Sequence, residues 1–344
     1  MAKRIAVAGY GAVGRALVER LSARGDDVRI VQREAEAPTG LPRDVTCVCA
    51  NLEDAGAAQS ALENVDIVVC AVGVPYRSDV YVRVWPVVMR NLLDACASSG
   101  ARFVFADSLY MYGPQTRPLT EEMQLTDDGQ KPRVREEITR LWQKAHEDEQ
   151  VRATAVRASD FYGPKATTSV LSTLGVARLM IGKPALSPYP PDQPHDFTYV
   201  PDFARALETL IDADDDAYGQ AWHVPNAPTR SLRELLTLAA RLICVRPRIT
   251  VLTPMLAALV GIVRSDVREL KEMRFQWDRP YLVDTTKFSR RFWSDPTPFE
   301  DGLRATIASY EKGPVRDGGI LAVQAFQGRR GRKSAAPPIG SVDT

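Results

Sequence analysis

Short apolar runs alternate with amphipathic stretches along the first half of the chain. Six apolar runs read as strands, at residues 4–8, 28–31, 45–49, 67–72, 103–106 and 151–156. Four stretches between them repeat apolar positions with helical spacing, at 12–23, 54–62, 80–98 and 138–148. Strands that are apolar on both faces and alternate with such helices are typical of a parallel sheet covered on both sides. The pattern predicts an α/β fold with a doubly wound parallel sheet of the Rossmann type.

The pattern becomes looser after residue 165. Residues 184–196, PALSPYPPDQPHD, are rich in proline and predict an exposed loop. Helical spacing returns at 200–213, 232–242, 254–263, 266–273 and 299–310. We expect a dinucleotide-binding core at 1–165, a mixed region with a smaller C-terminal substrate-binding subdomain at 166–312, and a disordered tail at 313–344.

The composition excludes several classes of function. The chain has 344 residues, 25% of them charged, and a formal net charge of +1, which offers no field that would attract nucleic acid or anionic lipid. The apolar stretch at 255–263 is too short to span a bilayer. The cysteines lack the spacing of metal ligands, and we expect buried thiols in a reducing cytosol; they are Cys47, Cys49, Cys70, Cys96 and Cys244. We predict a cytoplasmic protein that binds a small molecule, and no metal, nucleic acid or membrane.

A glycine-rich turn follows the first predicted strand. Its residues are Gly9, Tyr10, Gly11, Ala12, Val13 and Gly14, and they give the spacing G-x-G-x-x-G at the start of a helix. A turn without side chains lets backbone N–H groups and the helix dipole approach a pyrophosphate. In this position the motif predicts that the six residues bind a dinucleotide. The alternative is a glycine turn that serves packing alone.

The end of the second strand bears on the choice of nucleotide. An acidic side chain about 20 residues after the glycines would bind the ribose hydroxyls of NAD. Gln32 and Arg33 stand there instead, and a guanidinium can pair with a 2′-phosphate. This favours NADP(H) as the cofactor, with NAD as the alternative if Glu34 takes the acidic position. We assign further cofactor contacts to the ends of later strands, at Asn51, Leu52, Ala71, Val72, Gly73 and Ser159.

Four segments in order resemble the extended short-chain dehydrogenase/reductase family, in its sugar-nucleotide epimerase and dehydratase branch. They are FVFADSLYMYGP at 103–114, RASDFYGP at 157–164, HDFTYVPDFARAL at 195–207 and the segment YLVDTTKFSRRFWSDPTPFEDGLRATIASY at 281–310. The resemblance covers roughly residues 3–312. It implies that Ser108 takes the place of the family's catalytic serine. It also implies a homodimer, formed through the helices predicted at 80–98 and 138–148.

The chain departs from this family where the proton chemistry lies. No Tyr-x-x-x-Lys occurs anywhere, and the helix that should carry it reads GQKPRVREEITRLW, at 129–142. Ala8 replaces the first glycine of the family's G-x-x-G-x-x-G, and Trp85 stands in place of a supporting asparagine. The chain is therefore similar to an atypical member of the family, one that lacks the usual base for alcohol oxidation.

Several residues are candidates to replace the missing pair. Tyr110 and Tyr112, beside Ser108, are candidate catalytic residues, although Tyr112 is also interpreted as a packing residue of its Tyr-Gly-Pro turn. A basic group among Lys131, Arg133 and Arg135 could hold the ribose or a phosphate, or could simply face solvent. We expect the substrate pocket to be lined by Tyr76, Asp160, Phe161, Tyr162 and His195.

Two functions remain open on the sequence. The first is an NAD(P)-binding oxidoreductase or epimerase-like enzyme that acts on a small oxygenated substrate, and the sequence favours it. The second is a non-catalytic regulatory protein that senses NADP(H), which the missing tyrosine and lysine would permit.

Overall fold

The computed structural model describes residues 2–251 and 272–311. The segments expected as a helix at 254–263, as most of a helix at 266–273 and as a tail at 313–344 lie outside these residues.

Within the described residues the chain alternates strands and helices. The strands are β1 Arg4–Ala8, β2 Asp27–Gln32, β3 Thr46–Cys49, β4 Ile67–Cys70, β5 Arg102–Asp107, β6 Ala153–Arg157, β7 Asp160–Tyr162, β8 Ala185–Ser187, β9 Pro194–His195, β10 Phe197–Tyr199, β11 Ala221–His223, β12 Arg230–Ser231 and β13 Ile249–Val251. The α-helices are α1 Ala12–Ala23, α2 Ala55–Ala61, α3 Ser78–Ser99, α4 Gln130–Glu147, α5 Ala177–Met180, α6 Val200–Asp212, α7 Leu232–Leu242, α8 Thr286–Arg291 and α9 Phe299–Glu311. A π-helical segment, Val170–Val176, precedes α5, and short 3-10 helices occupy Tyr110–Tyr112, Asp215–Ala217 and Arg274–Gln276.

Seven strands form one parallel sheet in the order β11-β6-β5-β4-β1-β2-β3. The chain starts at β1 near the centre and winds outward in both directions, which confirms the doubly wound Rossmann-type fold. The two faces carry alternate residues of each strand. Helices α1 and α6 pack on Val7, Ile30 and Val104, while α2, α3 and α4 cover Ala6 and Phe105.

The second half adds three two-stranded sheets, β7 with β10, β9 with β12 and β8 with β13. Helices α7 and α9 and the π-helical segment enclose a further hydrophobic core around Leu171, Leu235, Leu236, Phe299 and Leu303. The substrate-binding subdomain expected at 166–312 stays a prediction, and this core is the feature that supports it.

Three expectations about local structure were wrong. The proline-rich stretch at 184–196 is not an exposed loop, because it contains β8 and β9, and Tyr189 and His195 are buried. The helix expected from residue 138 begins at Gln130, since its first two turns bury a lysine and an arginine that the apolar pattern passes over. Cys49 and Cys244 are exposed rather than buried, Cys49 because β3 is an edge strand.

Candidate functional site

The glycine-rich turn between β1 and α1 is open to a ligand at Gly11. Gly9 has a φ of 100°, and a Cβ there would lie 2.5 Å from the carbonyl oxygen of Ala71. A Cβ on Gly14 would lie 2.0 Å from the carbonyl oxygen of Gly9. Gly11 is exposed and has nothing within 4 Å of the Cβ position. Two glycines therefore close the turn on itself, and the third leaves room for an approaching group.

The start of α1 fits a diphosphate. Gly11 is the N-cap, no side chain caps the helix, and its first turn has no acidic residue. The first N–H groups of a helix lack partners inside the helix and carry partial positive charge. Ala12 and Val13 begin this turn and are half-buried, and beside them the Tyr10 ring lies under the guanidinium of Arg15, 4.4 Å away. The turn can thus hold a pyrophosphate through backbone N–H groups.

Gln32 and Arg33 take different orientations at the end of β2. The Gln32 amide donates to the backbone oxygens of Glu34 and Glu36, at 3.0 and 2.8 Å. Arg33 is exposed, and its guanidinium makes no hydrogen bond or ion pair within the described residues. Of these two side chains, that of Arg33 is the one available to a phosphate on the adenosine ribose.

The other predicted cofactor contacts lie at several strand ends. Asn51 is exposed, whereas Leu52 is buried and its carbonyl oxygen accepts from the Asn91 amide at 2.9 Å. Residues 71–73 follow β4, the neighbour of β1, and range from half-buried to exposed. Ser159 is occupied within the protein, because its hydroxyl donates to the backbone oxygen of Asp196 at 2.6 Å. We therefore leave Ser159 out of the cofactor set proposed below.

A buried carboxylate organises the end of β5. Oδ1 of Asp107 accepts from the backbone N–H of Ser108 at 2.8 Å and from Arg135 at 3.0 Å. Oδ2 accepts from Nε of Arg157 at 3.2 Å. Arg135 also donates to the hydroxyl of Tyr81 at 3.0 Å. The Asp107 carboxylate thus lies between two guanidinium groups and also holds the backbone N–H of Ser108.

Three hydrogen-bond donors around this carboxylate lack a partner in the described part of the chain. They are the Ser108 hydroxyl, Nε of Arg135 and the indole N–H of Trp85, and each atom is inaccessible to solvent. The guanidinium of Arg135 lies 4.2 Å from the centre of the Trp85 ring, so the two side chains are in contact. Buried donors are satisfied in nearly all native structures, and exceptions call for an explanation. These three donors are therefore exceptions within an otherwise hydrogen-bonded network at Asp107.

The Tyr112 side chain is held on both sides. Its hydroxyl accepts from Arg157 and lies 2.9 Å from Nε2 of His223, whose Nδ1 is 3.1 Å from the backbone oxygen of Asp284. This arrangement suits a neutral His223 that donates from Nδ1 and accepts from Tyr112 at Nε2. Burial raises the pKa of Tyr112 to about 12, and burial together with the charge of Arg157 lowers the pKa of His223 to about 3. This geometry favours the packing interpretation of Tyr112.

Helix α4 carries a buried pair with the spacing of the missing Tyr-x-x-x-Lys. Lys131 and Arg135 are four residues apart and face the sheet, whereas Arg133 is exposed. Nζ of Lys131 donates to the hydroxyl of Ser78 at 3.0 Å and lies 4.7 Å from the centre of the Tyr76 ring. Of the three basic candidates, Lys131 and Arg135 therefore lie beside the site.

Tyr76 connects Lys131 to Tyr110. Both tyrosines are half-buried, their rings are 6.3 Å apart in an edge-to-face contact, and their hydroxyls share a hydrogen bond. Burial raises the pKa of both phenols, and the hydrogen bond raises that of Tyr76 while it lowers that of Tyr110. Tyr76 therefore links the Lys131 ammonium to the Tyr110 phenol.

His195 and Asp160 form a pair on the opposite wall. Nε2 of His195 lies 2.8 Å from Oδ2 of Asp160, and the imidazole stacks on Trp277 with ring centres 4.1 Å apart. Asp160 is half-buried, and its charge contributes to the raised pKa values of Tyr110 and Tyr281, after burial itself. Asp160 therefore faces the same space as Tyr110.

Phe161 and Tyr162 turn away from that space. Phe161 packs on Phe203 of α6, with ring centres 5.1 Å apart. Tyr162 is buried against Tyr199 and Phe299, at the close approach of α9. Since both rings contact other aromatic side chains of the protein, they serve packing, and we leave them out of the proposed pocket.

The sequence interpretation missed the buried charges at the ends of β5 and β6. Asp107 and Arg157 are direct neighbours in the sheet register, and both are charged residues at the carboxyl end of an apolar strand. That feature is visible in the sequence and could have identified the pair. Its partners Tyr81 and Arg135 lie on two different helices, and only the folded chain brings them there.

Within residues 2–251 and 272–311, none of the helices combines the length and apolarity that a membrane crossing requires. In the same residues no three His, Cys, Asp or Glu side chains are placed to hold a metal ion together.

The fold and the glycine turn are typical of dinucleotide-binding α/β proteins. A comparison with protein families identifies the family. Residues 5–224 match the NAD dependent epimerase/dehydratase family. The chain belongs to this family, which confirms the resemblance drawn from its motifs. A comparison with curated proteins gave no match.

Solved structures of extended epimerases and dehydratases share the fold. UDP-glucuronic acid 4-epimerase of Bacillus cereus, in complex with UDP-glucuronic acid and NAD, is 16% identical with a TM-score of 0.75, over 90% of this chain and 99% of that one. A double mutant of the dTDP-glucose 4,6-dehydratase DesIV of Streptomyces venezuelae, with NAD and DAU bound, is 19% identical with a TM-score of 0.73, over 91% and 100%. UDP-glucose 4-epimerase of Thermus thermophilus, in complex with NAD, is 18% identical with a TM-score of 0.72, over 90% and 99%.

Proposed function

We propose that the protein is an NADP(H)-dependent oxidoreductase of the epimerase/dehydratase family that acts on a small oxygenated substrate. The observation that carries this proposal is the Ser108 hydroxyl, which has no partner among the described residues and lies two residues before the Tyr110 phenol at the end of β5. Both groups lie at the carboxyl end of a central parallel strand, where ligands bind in such sheets. Together they can donate two hydrogen bonds to one substrate oxygen.

The side chains support proton donation by Tyr110. Burial raises the pKa of Tyr110, so the phenol keeps its proton at physiological pH and has one to give to a substrate oxygen. Tyr76, which is hydrogen-bonded to Tyr110 and has the Lys131 ammonium over its ring, can return a proton to Tyr110. Bound NADPH would supply the hydride. Arg135 exchanges no proton, since a guanidinium stays charged, and it serves to hold Ser108 through Asp107.

The cofactor set consists of backbone at Gly11–Val13 and the side chain of Arg33. The exposed guanidinium of Arg33 supports NADP(H), whereas the related structures named above contain NAD. Asn51 and residues 71–73 border the same edge.

The homodimer stays a prediction. Helices α3 and α4, which would form its interface, pack side by side and are joined by an ion pair between the exposed side chains of Arg90 and Glu137, at 2.9 Å. Size-exclusion chromatography with light scattering would test it.

Turnover of NADPH with a panel of aldehydes and ketones tests the proposed function. We expect Ser108→Ala and Tyr110→Phe each to lower kcat about 10²-fold or more and to leave NADPH affinity within about twofold, in line with the loss of one proton donor. Ser99→Ala, at the last residue of α3, is a matched control and should leave kcat unchanged. Cofactor binding without any turnover would instead support a protein that senses NADP(H).

A further inference from the structure

Asp160 is the accessible member of the pair that it forms with His195. Its side chain is 27% exposed, whereas that of His195 is 2% exposed. Within the described residues, the carboxylate makes one hydrogen bond, between Oδ2 and Nε2 of His195, at 2.8 Å. Oδ1 has no hydrogen-bond donor there, and the side chain remains within reach of a small ligand.

The surroundings of His195 indicate a neutral imidazole. The ring is stacked on Trp277 and Tyr281, with ring centres 4.1 and 5.3 Å away. Nδ1 is inaccessible to solvent and has no partner in the described part of the chain. A neutral ring with its proton on Nε2 donates to Asp160 and leaves only an acceptor unsatisfied, whereas a protonated ring would bury a charged N–H without an acceptor. The pair therefore carries one negative charge, on Asp160.

No cation among the described residues is paired with Asp160. Two arginines border the same space, and each has a carboxylate of its own. Arg135 is buried on Asp107, 3.0 Å from Oδ1. Arg274 lies 3.6 Å from Asp278. These guanidinium groups therefore do not take the place of a partner for Asp160.

The other charges around the pocket also have partners. The ammonium of Lys131 lies 3.1 Å from the carboxylate of Glu272. Behind Tyr112, three carboxylates and three cations lie together, and they are Asp107, Glu121, Glu122, Arg135, Arg157 and Lys287. These groups balance in number without Asp160. The charge of Asp160 is therefore left without a counter-charge in the part of the chain that the structure describes.

Aromatic side chains border this carboxylate. Tyr281 lies against the ring of His195, which binds the carboxylate. After burial, the charge of Asp160 is among the causes that raise the pKa of Tyr110, Tyr189 and Tyr281. A negative charge acts in this way on phenols that are close to it. The face of an aromatic ring attracts cations, so a carboxylate among such rings is a suitable site for a positively charged group.

We infer that the substrate of the proposed reaction carries a positively charged amino group and that Asp160 binds this group, on the wall opposite Ser108 and Tyr110. The inference rests on the proposed function for the reaction and goes beyond it in the class of substrate, an amino ketone or the corresponding amino alcohol. In this arrangement the carbonyl oxygen accepts from the Ser108 and Tyr110 hydroxyls, and the ammonium donates to the carboxylate of Asp160.

Binding of matched charged and uncharged ligands tests the inference without turnover. Protein saturated with NADPH, whose nicotinamide is uncharged, is titrated with 1-amino-2-propanol and 1,2-propanediol, and then with choline and its uncharged analogue 3,3-dimethylbutan-1-ol. None of the four contains a carbonyl group, and the methyl signals of each report binding by NMR. We expect each cation to bind at least about tenfold more tightly than its neutral partner at low salt. Equal affinities within both pairs, or no binding of either cation, would overturn the inference.

Variants locate the effect. Asp160→Asn removes the charge and keeps both the shape and an acceptor for His195, so the ratio of the two affinities should fall to about one. Asp192→Asn removes an exposed carboxylate that pairs with Arg233, and this control should keep the full ratio. The melting temperature of each variant is measured as a check of folding. A ratio that survives in Asp160→Asn would show that another group binds the cation and would overturn the assignment.

The protonation of His195 is measured on the unmodified protein. Long-range ¹H–¹⁵N NMR spectra distinguish a neutral imidazole from an imidazolium and show which nitrogen carries the proton. We expect a neutral ring at pH 7 with its proton on Nε2. An imidazolium would cancel the charge of Asp160 and overturn the inference, and this measurement remains valid if Asp160→Asn does not fold.

The inference and the proposed function can fail separately. Consumption of NADPH is followed with aminoacetone and with hydroxyacetone. Turnover of hydroxyacetone together with equal binding within each ligand pair would contradict the inference and leave the proposed function standing. Preferential binding of the cations without turnover of any carbonyl compound would contradict the proposed reaction and leave Asp160 as a cation-binding residue.

Discussion

The proposed cofactor edge of the sheet, at the turn after β1, and the proposed catalytic edge, at the end of β5, are built in different ways. At the turn after β1, function depends on backbone, with Gly9 and Gly14 in close contact and Gly11 left open. At the end of β5, the proposed site depends on side chains from several elements, which converge on Asp107. A backbone site is specified by a short local motif, whereas a side-chain site can be rebuilt once its partners change together. On the proposed function, this difference would let a chain keep a dinucleotide site without Tyr-x-x-x-Lys.

The largest effect is expected on stability, from a substitution of Asp107 at the end of β5. Asp107→Asn removes the carboxylate shared by two buried guanidinium groups, so both charges remain without a partner. We expect the free energy of unfolding to fall by about 3–5 kcal/mol, as for other broken buried ion pairs. Chemical denaturation measures it.

Asp148→Asn provides the matched control, since it removes an exposed ion pair with Lys144. It should change the free energy of unfolding by less than about 1 kcal/mol. If both variants cost the same, the network at Asp107 contributes nothing special to the stability of this edge.

The next largest effects are expected at the glycine turn, where one substitution should lower stability and another should weaken cofactor binding. Gly9→Ala puts a Cβ against the Ala71 backbone at a positive φ, and should lower the free energy of unfolding by about 2–4 kcal/mol. Gly11→Ala should leave stability within about 0.5 kcal/mol and weaken NADPH binding at least about tenfold. Denaturation and calorimetry on both variants decide whether Gly11 faces the cofactor. Unchanged NADPH affinity in Gly11→Ala would show that Gly11 is not part of the cofactor site.

A pH dependence should arise from His223. Its pKa is about 3 in the folded protein, below the ordinary value of an unfolded histidine at about 6.5. Between these values the unfolded state binds a proton that the folded state does not, so stability falls as the pH is lowered. From pH 7 to pH 5 we expect this residue to cost about 2 kcal/mol. His223→Gln should show a correspondingly smaller loss over the same range, and identical slopes would contradict the buried neutral histidine.

A smaller effect is expected for cofactor choice. Arg33→Ala should weaken NADPH binding about tenfold and leave NADH binding nearly unchanged, because only NADPH carries the 2′-phosphate. Arg43→Ala, an exposed arginine of the same loop, should change neither affinity. Equal loss for both cofactors in Arg33→Ala would favour NAD.

The sequence predicts the sheet better than the site, for a physical reason. Strand β1 and helices α1 and α7 have the predicted bounds, because their apolar periodicity comes from burial along a single element. The start of α4 was missed, since Lys131 and Arg135 are buried by pairing rather than by apolarity. The proline-rich stretch at 184–196 read as a loop because β8 and β9 form only by pairing with strands far along the chain.

The candidate site divides in the same way. The glycine turn and Ser108 follow from local motifs; the structure leaves space beside Gly11, and the Ser108 hydroxyl has no partner among the described residues. The roles of Tyr76, Trp85 and Arg135 depend on contacts between α3, α4 and β5, which no local pattern contains. His195 was expected at the pocket from its place in a predicted loop. Its pairing with Asp160, 35 residues away, could not be predicted from any local motif.

A crystal structure of the complex with NADPH tests the central claim most directly, namely that the cofactor edge is retained and the catalytic edge rebuilt around Ser108 and Tyr110. We predict the diphosphate at the backbone N–H groups of Gly11–Val13, and C4 of the nicotinamide beside a space that the Ser108 and Tyr110 hydroxyls both face. A nicotinamide ring turned away from that space, or a diphosphate bound elsewhere, would contradict the account.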